Sequence, residues 1–316
     1  MSTIARALWN PIVAKEYRSR MRSWRSPLAL MIYILMIGGL GWAIFAAMAS
    51  SSANPYGGPA PNYGQTLFMY LVIFQMVLLA FVTPALTAGA ISGERERQTL
   101  DVLLVSRVSA FGIVWGKLLA SMAYILLLIL TALPLFSAVF LFGGIDLQQF
   151  ISSQVVTIST ALCLGAMAVF FSALFQRSLA ATVTSYASAF VLTIGTAIVS
   201  LVVGTSQTFS RAAAGGATNF QAAAEWYFNP FYALYNALFP NTATQVTLRG
   251  FLQLLIFGVQ PAPNAPGPLL DPWFVCVVFE AILAAISVAG AVYLVRSRRL
   301  FRPRRLLEPA ETLEAT

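Results

Sequence analysis

The sequence predicts an all-α integral membrane protein. Six transmembrane helices cross the bilayer, an amphipathic interfacial helix precedes them, a short cytoplasmic helix joins spans 2 and 3, and short external or re-entrant helices lie between spans 5 and 6. Three observations carry this. The chain is 59% hydrophobic and only 9% charged over 316 residues, with a mean hydropathy of +0.78, far too apolar for an ordinary soluble domain. It holds six apolar runs of about 20 residues or more, each enough at about 1.5 Å per residue to cross a hydrocarbon core of about 30 Å. Its basic residues fall almost wholly on one side of those runs. With 1–27, 91–117, 176–178 and 296–316 placed inside, 17 of the 19 Lys and Arg are cytoplasmic, leaving Arg211 and Arg249 outside.

Residues 1–27 carry Arg6, Lys15, Arg18, Arg20, Arg22 and Arg25 against Glu16 alone. Val13, Tyr17, Met21 and Trp24 recur at helical spacing opposite the basic residues, as in a helix lying in the headgroup plane. The spans follow as 28–49, 67–90, 118–142, 154–175, 179–204 and 273–295. The uncharged, turn-rich 50–66 links the first two outside. Segment 205–272 is the longest external stretch and too aromatic for a simple linker. Within it, 221–239 reads as a surface or re-entrant helix broken at Asn229 and Pro230, and 247–259 as a second. The tail, 296–316, sets six arginines against the inner leaflet. Both termini are expected in the cytoplasm.

Ser92–Lys117 places seven charges between two uncharged runs. Ser92 or Gly93 suits a helix cap, and Glu94 and Glu96 meet the positive end of the helix dipole. Glu94 with Arg97, and Arg97 with Asp101, have pairing distance along one side, while Leu100, Leu103 and Leu104 form an apolar stripe. The residues alone leave two readings open, a solvated connector and a helix that another protein reads.

Chemistry is scarce. There is no histidine, which removes the commonest general base and metal ligand. Cys163 and Cys276 lie in apolar runs, so neither a disulfide framework nor a thiolate metal site is suggested. GIVWGK, residues 112–117, fails as a phosphate-binding loop, because three residues separate the glycines and Leu118 stands where Ser or Thr belongs. The chain is therefore expected to be no enzyme and to hold no cofactor, and Lys117 to mark where the third span meets the headgroups. Gly89 with Gly93, and Gly112 with Gly116, have the spacing of close helix contacts. Glu280 is the one ionisable residue inside a span as bounded above. It either serves a substrate or proton path or bridges neighbouring helices. The net charge of +8 serves topology and anionic lipid rather than nucleic acid.

ISGERERQTLDVLLVSRVSAFGIVWGKLLA, residues 91–120, resembles the segment between spans two and three of ABC-2 type transporter permeases, in Glu94, Glu96, Thr99, Leu100, Leu103, Leu104, Gly116 and Lys117. The basic start, the six spans and the external NPFYAL stretch are similar too. Two departures stand out: Gln98 where the family often has glycine, and Arg107 where a proline usually follows the Leu-Leu pair. The resemblance implies that this segment is a coupling helix docking on a separate ATP-binding subunit. Leu100, Leu103 and Leu104 would then anchor it, Glu94, Arg95, Glu96 and Arg97 would choose the partner, and ATP and Mg²⁺ would belong to that partner. It implies an exporter subunit in a bacterial plasma membrane, paired with an identical or homologous permease chain among membrane lipids. The competing reading is a membrane anchor or mechanical lever of the same kind of complex that moves no solute.

Overall fold

A computed structural model describes residues 24–51, 63–99, 109–213, 227–239, 246–247 and 269–300. The interfacial helix expected before Trp24, the leucines Leu100, Leu103 and Leu104, and the tail beyond Leu300 lie outside the described residues. In chain order the helices are α1 (Arg25–Ser51), α2 (Tyr63–Thr87), α3 (Ser92–Glu96), α4 (Ala110–Phe140), α5 (Leu147–Leu174), α6 (Ser178–Phe190), α7 (Thr196–Ala213), α8 (Pro230–Leu238) and α9 (Pro272–Leu300). A π turn, Val191–Gly195, fuses α6 to α7. Among the described residues, six helical stretches are long and apolar enough to cross a membrane: α1, α2, α4, α5, α6 with α7, and α9. The described strand structure is one antiparallel pairing of Val246–Thr247 with Leu269–Leu270. Thr247, expected to begin a helix, therefore lies in a strand, in register with Leu269.

The helix ends differ from the hydropathy boundaries because polar caps, not apolar runs, set them. The third span begins at Ala110 rather than Leu118, with the Ser109 hydroxyl accepting from the Gly112 amide at 3.0 Å. The fourth begins at Leu147 rather than Gln154, where Gln149 Oε1 accepts from the Asp146 amide at 3.0 Å. Lys117, expected to mark where the third span meets the headgroups, consequently sits inside α4 with its side chain buried.

The fourth span is the axis of the bundle. In its most apolar window 61% of residues are buried, against 11% for the first span, and the sixth packs along it more closely than any other pair of elements. Lipid tails give apolar side chains no reason to leave them, so close packing and hydrogen bonds hold such a bundle together. Phe68 of α2, Phe136 of α4 and Phe150 of α5 meet with centroids 5.6–6.1 Å apart. Gly89 and Gly93 face open space, whereas a Cβ at Gly165 would strike Met122 and one at Gly290 would stand 2.8 Å from Phe170.

α8, at about 1.5 Å per residue over nine residues, is too short to cross. It packs on α5 and α9. Asn229 and Pro230 begin this helix: Asn229 Oδ1 accepts from the Tyr232 amide at 3.0 Å, and Pro230 takes the first helical position; residues 221–226 of the expected segment lie outside the described residues. Its far end is closed by Gln149 Nε2 donating to the Leu238 carbonyl at 3.0 Å. A π turn leaves a carbonyl short of its α-helical donor, and Asn229 Nδ2 donates to Thr193 O and Thr196 Oγ1, both at 2.8 Å.

Candidate functional site

The residues picked out around the second loop converge on one polar node, at the end of the bundle where α2 turns into α3 and α5 into α6. α3 is held on three sides. Its first amides have no partner within the helix, and the cap comes from another span rather than from Ser92 or Gly93. Ser172 Oγ of α5 accepts from the Ile91 and Ser92 amides at 2.9 and 3.0 Å, while Ser92 Oγ donates back to the Ala88 carbonyl at 3.1 Å. All of these groups are buried.

The charges of α3 then find oppositely signed helix ends. Arg95 Nη1 donates to the Phe175 carbonyl at 2.6 Å and Nη2 to the Ala173 carbonyl at 3.2 Å, so a guanidinium sits on the negative end of α5. The Glu96 carboxylate accepts from the Ser178 amide at 2.6 Å and the Ser178 hydroxyl at 2.7 Å, which puts an anion on the positive end of α6. Those two bonds, the hydroxyl's first, and Arg177 nearby hold the Glu96 carboxyl below the usual carboxylate range. Their small contribution at this exposed site is present at neutral pH and is lost as acid protonates the folded-state carboxylate. Glu94 reaches α4: Lys117 Nζ donates to its Oε1 at 3.1 Å, the ammonium side chain 5% exposed and the carboxylate 30%. Three consecutive charges, Glu94, Arg95 and Glu96, thus tie α3 to α4, α5 and α6 in turn.

The end of α3 explains the sequence departure at Gln98. The Thr99 amide donates to the Glu94 carbonyl and the Gln98 amide to the Arg95 carbonyl, both at 3.0 Å, the pattern of a Schellman cap. Its left-handed residue is Gln98, at φ 59°, where glycine is the natural occupant. The Thr99 hydroxyl closes the same turn on the Glu94 carboxylate. Gln98→Gly is expected to stabilise the fold: it removes a left-handed penalty of about 1–2 kcal/mol, partly offset by about 0.5–1 kcal/mol of chain entropy. A thermal melt of the purified protein reads the difference as a rise in midpoint. Arg97 and Thr99 are exposed at the tip, from which the chain runs on toward Leu100, Leu103 and Leu104.

Glu280 lies elsewhere, fully buried between α9 and α5. Thr160 Oγ1 donates to its Oε1 at 2.7 Å, and Oε2 has no hydrogen-bond partner among the described residues. Two apolar clefts lie among the described residues, and Glu280 lines neither. One of these, about 410 Å³, lies between the second and fifth spans beside the π turn, lined by Val77, Phe81, Tyr186, Phe190 and Thr193. Loop charges separated by about 80 residues could not be paired from the sequence, and Ser172 and Ser178 carried no signal that distinguished them from other span-end serines.

Six crossings, four of them gathered at one end by a hydrogen-bonded charge node, make this a multi-pass membrane protein. Residues 10–297 match the family described as ABC-2 family transporter protein, and the chain belongs to that family. It is accordingly a membrane transport permease, a component of a transporter rather than its catalyst, of a kind that works with an ABC ATPase. A search among curated proteins found no match.

Proposed function

We propose that this chain is the permease subunit of an ATP-driven exporter in a bacterial plasma membrane, with both termini and the α3 node in the cytoplasm. A second permease chain, identical or homologous, completes the pathway, and separate ATPase subunits bind ATP and Mg²⁺. This chain supplies no cofactor site. Seventeen of 19 basic residues on the node side support that orientation.

The observation that carries the reading is the three-way anchoring of α3. A segment that transmits displacement must be gripped by the partner at its tip and stiffly joined to the moving helices at its base. Glu94, Arg95 and Glu96 make that base, since they are bonded to α4, α5 and α6. Arg97, Thr99, Leu100, Leu103 and Leu104 then form the docking tip, leucines supplying affinity and charge supplying register. Partner choice falls to the tip, and transmission to the three charges that family resemblance had grouped with it.

The test is co-purification of the permease with its ATPase after Leu103→Asp and Leu104→Asp together. Association is expected to be lost while the protein still inserts and melts as the wild type does. Retained association sinks the docking assignment. ATP-dependent solute movement in vesicles separates the exporter from a complex that serves only as a lever.

A further inference from the structure

Between α4 and α9, with α5 as its floor, runs an apolar cleft of about 670 Å³ that no part of the coupling mechanism uses. Phe111 and Trp115 form one wall, their rings stacked at 5.8 Å and 11°. Ala281, Ala285 and Ala289, four residues apart, form the other, and Arg296 closes the end nearest the node. From Ala281 to Arg296 is about 22 Å of helix. That is the depth of one leaflet, about 15 Å of hydrocarbon and a headgroup layer above it.

The slot is therefore greasy from the bilayer midplane outward and carries a cation where headgroups lie. We propose that it binds one anionic phospholipid of the node-side leaflet, its phosphate on Arg296 and an acyl chain along Ala285 and Ala289. Basic pockets between helices on that side suit acidic headgroups. Arg296 is exposed, and no described residue forms an ion pair with it. The alternative occupant is a second copy of this chain. Charge argues against it, because the described carboxylates at the node end, Glu94 and Glu96, are already engaged with Lys117 and Ser178. A phosphate supplies the missing anion. The proposal concerns a different face from the coupling node and holds whether or not the docking assignment does.

The experiment is native mass spectrometry of the full chain released from micelles holding equal phosphatidylglycerol and phosphatidylcholine. Wild type is expected to retain one phosphatidylglycerol, favoured about fivefold, the contribution of one basic side chain near the surface. Arg296→Gln should abolish the preference and Arg296→Lys keep it. Ala285→Phe, which fills the slot without touching any charge, should lose the retained lipid of either kind. Retention in Ala285→Phe with loss only in Arg296→Gln means attraction to the basic surface alone and overturns the site. Equal retention of both lipids by wild type overturns it too. So does conversion of a dimer to a monomer by Ala285→Phe with lipid still bound, since the slot would then be an interface between copies.

Discussion

Glu94→Ala is expected to destabilise the permease by about 2–3 kcal/mol and to separate ATP hydrolysis from transport. Removing one member of a buried ion pair usually costs about 3–5 kcal/mol, because the other charge stays in a poorly solvated site. Here the carboxylate is 30% exposed, so water screens part of the loss, but Lys117 is 5% exposed and cannot swing free of α4 without disturbing the helix. Glu94 also receives the Thr99 hydroxyl, so the same substitution loosens the turn that leads into the docking tip. The double variant Glu94→Gln with Lys117→Met removes both charges and should recover most of the stability. It should not recover coupling, since an amide facing a thioether makes a softer joint than a carboxylate holding an ammonium. Melting midpoints and ATP-dependent uptake, measured on the three proteins in the same vesicles, decide the matter. Wild-type transport by the double variant would reduce the pair to a structural detail.

At Glu280 the expected results divide by chemistry. Glu280→Gln keeps the shape and an acceptor for Thr160, and it should transport as the wild type does. Glu280→Lys places an ammonium beside Thr160 in a site with no exposure and should cost at least about 3 kcal/mol, enough to prevent accumulation of folded protein. The grounds are the full burial of Glu280 between α9 and α5 and its short bond from Thr160 of the fourth span. Those fit a link between helices better than a stop on a solute path. Loss of transport in a normally folded Glu280→Gln protein would show the opposite, a proton that has to move.

The six crossings were legible because hydropathy over 20 residues is a strong signal and lipid leaves few alternatives. Where they begin was not, since Ser109, Asp146 and Gln149 are ordinary polar residues until their amides are seen. Asn229-Pro230 was readable as a helix start, a capping residue followed by proline, and aromatic neighbours disguised it. Glu94, Arg95 and Glu96 stood out as a charged run, but their targets belong to other helices: Lys117 to α4, Phe175 to the end of α5 and Ser178 to the start of α6. Spacing along one helix reports only neighbours on that helix. Gln98 was different. It stood out only as a departure from an otherwise similar stretch, and the left-handed turn found there shows why glycine suits the position.

The insertion at Val191–Gly195 does more than ask Asn229 for a donor. One additional residue turns everything after it by about 100° about the helix axis. The two halves of the fifth crossing therefore obey separate angular frames. The half beginning at Ser178 is indexed to the charged cluster, and the half from Thr196 onward is indexed to α8 on the opposite surface. A twist delivered at Ser178 need not arrive unchanged at Thr196, because the wide turn can absorb or release one step of winding between them. The crossing is thus built as two dials on a shared shaft, with Asn229 as the pawl that holds the outer one.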